Sequence, residues 1–195
     1  MRHQSRGYVS ADYVMHFDCF NTFVADVKLC GGCFYFEVGV VDMRSCQFGF
    51  CTEGFQLEEH GTKGVGDNSL SWAVDGGQVV LWPGGKSKPF GSKWSVGDVI
   101  GFALDMRSAS SIVLSVSANG SFADPYGIAF GDISATYLSP AFSGRGQFSV
   151  NFGDRPFVHA PPEGDYVSVH AANQVRWRLR FPRLRRSFFV LTAQL

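Results

Sequence analysis

Across residues 34–157 the chain is built from short runs of alternating residues, each closed by glycine, aspartate or asparagine. Phe34, Phe36, Val38 and Val40 share one parity, with Tyr35, Glu37, Gly39 and Val41 on the other. Ile100, Phe102 and Leu104 repeat the device, as do Ile112, Leu114 and Val116, and Phe148, Val150 and Phe152. In an extended strand residues two apart face the same way, so each run offers one apolar face to a core. The same pattern predicts strands at 13–17, 22–27, 46–51, 70–74, 79–82 and 137–142. No window of a dozen residues carries a helical stripe before residue 165, and there is no internal repeat. Strands at this spacing with turn signals between them specify a sandwich or barrel rather than alternating helix and strand.

Asp75-Gly76-Gly77 and Asn119-Gly120 supply hairpin turns, because these residues tolerate positive φ. The segments 53–63, 83–93 and 121–131 read as long loops, where binding residues usually sit on such a scaffold. A chain of 195 residues, 45% hydrophobic with 19 Phe and only 17% charged, holds one well-cored domain. Its zero formal charge hides an asymmetry. Residues 1–172 carry 11 Lys and Arg against 17 Asp and Glu, whereas 173–195 carry six Arg and no acid. The acidic body disfavours nucleic acid as the main ligand, since that binding depends on a basic surface. No apolar run reaches the roughly 18–20 residues that span a bilayer, and no signal-peptide segment follows Met1. An intracellular, cytoplasmic location is therefore expected.

Several motifs suggest chemistry and fail on their surroundings. Cys30 and Cys33 have the spacing of half a zinc site, with Cys46 and Cys51 as an imaginable other half. A zinc site needs four converging ligands, but Cys51 lies in an apolar run and Cys33 at a strand entrance, and free thiols in place of small apolar residues account for them. Five cysteines, an odd number, also fit a reducing compartment. Gly84-Gly85-Lys86-Ser87 imitates the end of a phosphate loop, but Val80 stands where its first glycine belongs and Pro83, Pro89 and Gly91 forbid the following helix. Gly64-Val65-Gly66 lacks the third glycine of a dinucleotide fingerprint. The histidines 3, 16, 60, 159 and 170 show no triad spacing. Glu58-Glu59-His60 reads as a solvated loop face, and Asn119-Gly120-Ser121 as a hairpin turn rather than a glycosylation site. No catalytic residue, cofactor or metal is expected.

After Pro161-Pro162 the pattern changes, and the boundary is placed there: a domain over 1–162 and a basic tail over 163–195. Within 174–186 Val175, Trp177, Leu179 and Phe181 alternate with Arg176, Arg178 and Arg180. Either an amphipathic strand or a flexible basic tail fits this pattern; it could meet an acidic peptide, RNA or an anionic membrane, but a linker or an end without function is the favoured reading, since nothing else in the chain supports an anionic ligand.

Trp94-Ser95-Val96-Gly97-Asp98-Val99-Ile100-Gly101, then Leu104-Asp105, Asn119-Gly120, Pro140-Ala141-Phe142 and Asn151-Phe152-Gly153, resembles in order the pattern of SPRY domains. Phe23-Val24-Ala25-Asp26-Val27 and Phe34-Tyr35-Phe36-Glu37-Val38 look like the family's entry strands. The Gly64–Asp67 and Leu81-Trp82 region is most similar to SPRY domains of ryanodine receptors and some ubiquitin ligases, without a PRY extension. The resemblance implies an all-β fold, a bent antiparallel β-sandwich of concanavalin-like jelly-roll type. It further implies a non-catalytic, monomeric module that recognises a peptide or protein through loops at one edge, as a substrate or scaffold receptor. A glycan-binding, lectin-like sandwich is the alternative. The Tyr and Trp that form the peptide pocket of SOCS-box adaptor members are missing at Gly61, Thr62 and Ser143. Aromatics and arginines dominate interface hot spots, so Arg44, His60, Trp82, Lys86, Lys88, Tyr126 and Arg145 are the expected contact residues. Gly66, Gly76, Gly97, Gly101 and Gly153 are expected at turns or close packing, and Asp67, Asp98 and Asp105 on backbone amides at strand ends.

Overall fold

The structure is a computed structural model that describes residues 7–56, 63–172 and 176–179, the last four through their backbone. Twelve strands and one short helix follow in order: β1 (Gly7–Val9), β2 (Val14–Asp26), β3 (Cys33–Cys51), β4 (Ser71–Asp75), β5 (Val80–Pro83), β6 (Lys88–Pro89), β7 (Val99–Asp105), β8 (Ile112–Ala118), β9 (Gly127–Ile133), β10 (Ser139–Asn151), β11 (Tyr166–Ser168), α1 (Val169–Ala172) and β12 (Arg176–Leu179). The all-β expectation is met: apart from the parallel pairing of β11 with β3, the pairings are antiparallel.

Three predicted pairs of strands are each one long strand. Runs 13–17 and 22–27 merge in β2, 34–41 and 46–51 in β3, and 137–142 and 148–152 in β10. The alternation breaks inside β3 and β10 because their ladder shifts register twice, between Arg145 and Gly146 and between Gln147 and Phe148. Such bulges bend a strand and increase its twist. One side of β3 pairs with β7 over Cys33–Gly39 and with β4 over Phe48–Cys51, while β10 runs along the other side. β3 thereby joins the β7–β8–β9 and β4–β5–β6 arms of one continuous sheet. β9 is a correction to the loop expected at 121–131: Gly127 and Gly131 look like turn punctuation, yet the segment pairs with β8.

Two adjacent registers show how side chains are sorted. Phe23, Phe142, Phe48, Val74 and Leu81 pair across β2, β10, β3, β4 and β5, and all lie in the main core. One residue along, Val24, Ala141, Gly49, Ala73 and Trp82 pair across the same five strands on the opposite face. There Val24, Ala141 and Ala73 form a smaller cluster with Cys51, Phe55 and Val65, which Trp82 covers. In the main core Phe36 stacks on Phe102 at 4.9 Å and meets Phe50, Phe142 and Phe152. Trp94 belongs to the same core.

The marker residues serve this packing. A Cβ on Gly76 would overlap the Trp94 ring, so this glycine permits close approach of the indole. Gly97 instead has open space around it and a φ of +95°, a turn conformation that glycine adopts without steric cost. Asp67, Asp98 and Asp105 accept the backbone N–H of Gly64, Ser95 and Arg107 respectively. Asn119-Gly120 turns the chain with both residues at positive φ between the bridged Ala118 and Ser121.

The boundary expected at residue 163 does not end the sheet. β10 reaches β3 only as far as Glu37, and β11 takes over the same ladder at Cys33–Tyr35. Val169 is fully buried in the core, and β12 pairs with Phe23–Asp26 of β2. The strand reading of 174–186 thus holds over Arg176–Leu179, and Arg180, Phe181, Arg183, Arg185 and Arg186 lie outside the described residues.

Candidate functional site

On the face of β3 turned away from the main core, both ends are covered and the middle is open. At one end the segment 156–159 folds over the strand: Phe157 meets the Tyr35 ring edge-on at 4.8 Å. The buried Glu37 carboxylate accepts the backbone N–H groups of Val158 and His159, at 2.8 and 2.7 Å. Burial, then the nearby Glu37 charge, pushes the Tyr35 phenol above its ordinary range. At the other end Cys51, Phe55 and Val65 close the smaller apolar cluster. Between these lids two depressions open over residues 42–47.

The first depression, about 250 Å³, is walled by Phe20 of β2, Gln47 of β3, Asp67, Asp75 at the end of β4, Gln78 and Trp82 of β5, with Ser45 and Cys46. A polar ledge supports it. Thr22, Ser143 and Gln47 pair across β2, β10 and β3; the Thr22 and Ser143 hydroxyls lie 2.6 Å apart, and Ser143 Oγ accepts Val65 N–H. Gln47 donates to Asp67 Oδ1 at 3.0 Å, and Asp67 Oδ2 accepts Gly64 N–H at 2.7 Å. Asp75 accepts the N–H groups of Gly77 and Gln78 and the Gln78 side-chain amide, which fixes the turn after β4. Burial, then the Asp75 charge, pushes the Cys46 thiol up to about 12. Cys46 is therefore a neutral, fully buried wall group, unsuited to nucleophilic chemistry.

The second depression, about 220 Å³, holds Arg44 and Arg145 together with His16, Asp18, Asp42 and Gln147. The Tyr8 ring stacks on His16 at 4.3 Å. Arg44 Nε lies 3.8 Å from Asp42 Oδ2 with both side chains exposed, an arrangement that contributes little stability. Arg145 has no ion pair among the described residues.

The structure therefore brings together three of the seven expected contact residues: Arg44 and Arg145 in one depression and Trp82 in its neighbour. They stand on strands rather than loops, because the bulged strand β3, its partner β10 and the hairpin strand β5 carry them. Lys86 and Lys88 are exposed on the β5–β6 hairpin and line neither depression. Tyr126 anchors a loop: its ring meets Phe90 edge-on at 6.0 Å and its hydroxyl lies 2.9 Å from Ser92 Oγ. His60 lies outside the described residues. Sequence reasoning missed Phe20, Gln47 and Asp42. A glutamine inside the apolar run 46–51 was the available signal. The five cysteines, all described, are free thiols. Among the described residues no three His, Cys, Asp or Glu gather as a metal site, and no helix is long and apolar enough to cross a membrane.

A bent antiparallel sandwich with Gly-Asp punctuation and an open, polar-and-aromatic patch is the build of a binding module. The SPRY domain family model matches residues 33–155, more than half of the chain, and the chain belongs to the SPRY family. SPRY domains commonly serve as protein–protein interaction modules and are generally non-catalytic. Among particular relatives, the chain is 30% identical over 149 residues to E3 ubiquitin-protein ligase RKP of Arabidopsis thaliana, which covers 74% of this chain and 11% of the ligase. It thus spans about a tenth of that protein's length. The crystal structure of the SPRY domain of human HERC1 matches with a TM-score of 0.61 at 18% identity, over 78% of this chain and 96% of that one. That likeness establishes the fold.

Proposed function

We propose that this SPRY domain recognises a peptide or protein surface through the open middle of β3, with the two adjoining depressions as the contact surface. The observation that carries this reading is their position: uncommitted charge and aromatic surface gather on a rigid strand whose two ends are already covered. Each depression is smaller than the roughly 300–1,000 Å³ typical of small-molecule sites, so side chains of a partner suit them better than a metabolite. The ligase relative supports a role as substrate or scaffold receptor within a longer protein.

Selection from a random displayed-peptide library, followed by rebinding to Arg44→Ala/Arg145→Ala, tests the reading. Selected peptides are expected to lose most of their affinity while the melting temperature stays unchanged. Equal binding to the double variant would remove this face from the recognition surface.

A further inference from the structure

The first depression has a chemistry its neighbour lacks. Its wall contains two carboxylates, Asp67 and Asp75, and no lysine, arginine or histidine. Both carboxylates accept hydrogen bonds only from uncharged donors among the described residues, so their charge is not neutralised by a cation there. A second and independent feature points the same way. Gln47 is only 6% exposed, and while its amide nitrogen donates to Asp67, its carbonyl oxygen has no hydrogen-bond partner. A buried acceptor left unsatisfied is costly and calls for an explanation. The wall thus carries negative charge, and the unmet Gln47 oxygen beside it is buried against Gly64. Two aromatic side chains, Phe20 and Trp82, complete it.

The geometry points to a pocket for an arginine side chain carried by a peptide partner, an inference that rests on the protein-recognition reading above. A guanidinium offers five N–H donors in a plane, stacks on aromatic faces and is more weakly hydrated than an ammonium, so it suits a partly enclosed wall of this kind better than lysine. The Trp82 indole N–H, buried and without an acceptor among the described residues, serves as a spectroscopic reporter on this wall.

The test titrates the isotope-labelled domain with N-acetyl-arginine amide and follows backbone amides together with the Trp82 indole resonance. Expected are saturable shifts at Gln47, Asp67, Gln78 and the indole. N-acetyl-citrulline amide, isosteric but neutral, should bind at least about tenfold more weakly, the equivalent of about 1.4 kcal/mol. Asp67→Asn should weaken the arginine probe to a similar degree, whereas Asp42→Asn in the second depression should not. Should Asp67→Asn fail to fold, Phe20→Leu takes its place, with the same loss expected. No saturable shift at these groups, or citrulline or lysine amides binding as tightly as arginine amide, would overturn the inference. The protein-recognition reading fails separately, by selected peptides that ignore Arg44 and Arg145; if they depend on those residues but show no need for arginine, only the arginine pocket falls.

Discussion

Two neighbouring rows of the central sheet differ in every respect except their backbone. Phe23, Phe142 and Phe48 pair across β2, β10 and β3 and disappear into the main core. The next row, Thr22, Ser143 and Gln47, faces the other way and is polar. The first is satisfied by contact alone: apolar side chains need no directional partner, and their burial drives the fold. The second needs a partner for each polar atom and obtains most of them from the Gly64–Asp67 segment, leaving one acceptor unmet. One set of strands therefore carries the fold on one face and, on the proposed reading, the contact surface on the other.

If that division is right, substitutions on the two faces should separate cleanly. Phe36→Ala removes the ring that touches four other phenylalanines and should cost about 3–5 kcal/mol in urea unfolding. Arg145→Ala, at the bulge of β10, should stay within about 0.5 kcal/mol of the parent. Comparable losses would show that the open face is also structural. Gly76→Ala tests the core side in the other direction. Its methyl would overlap the Trp94 indole, and overpacking of this kind costs roughly 1–3 kcal/mol; an unchanged melting temperature would mean that Trp94 can move aside.

A smaller effect is expected at Asp105, whose hydrogen bonds from the Arg107 side chain, followed by that from the Arg107 amide, hold its carboxyl at about 2, below the usual 3.8. Because the folded state lowers this pKa, the stabilisation is present above pH 4 and is lost as pH falls from about 4 through 2. Arg107 is exposed, so the contribution is about 1 kcal/mol or less after solvent screening. Asp105→Asn should lower stability at neutral pH by that amount, with the gap closing near pH 2. The smallest test involves no change in stability. Exposed Cys30 should react promptly with a thiol reagent, whereas buried Cys33, Cys46 and Cys51 should react only on unfolding. Rapid labelling of Cys46 would mean that the first depression opens deeper than its walls allow.

The fold was legible in the sequence because its signals are local. Period-2 alternation, the turn glycines and the aspartates that cap strand ends can each be read from a few neighbouring residues, whereas the approach of Trp94 to Gly76 joins positions 18 apart. β9 was hidden because Gly127 and Gly131 look like turn residues while pairing with β8 depends on chain more than ten residues away. The site was less legible for the same reason. Arg44, Trp82 and Arg145 were found by residue type, but nothing local tells Arg145 from Lys86. Only the register of β2, β10 and β3 puts Arg145 beside Arg44 and leaves Lys86 on a hairpin tip. Phe20, Gln47 and Asp67 come from three separate segments, and their shared wall is a product of the fold.

The division of labour between the two faces is tested most directly by a hydrogen-exchange footprint of the domain bound to a peptide selected from the random library. Added protection is expected at residues 16–20, 42–47, 65–67, 78–82 and 145–147, with the buried core strands unchanged. Protection centred instead on the outer edge of β9, at 127–133, would contradict the account and move recognition to the β7–β8–β9 arm of the sheet.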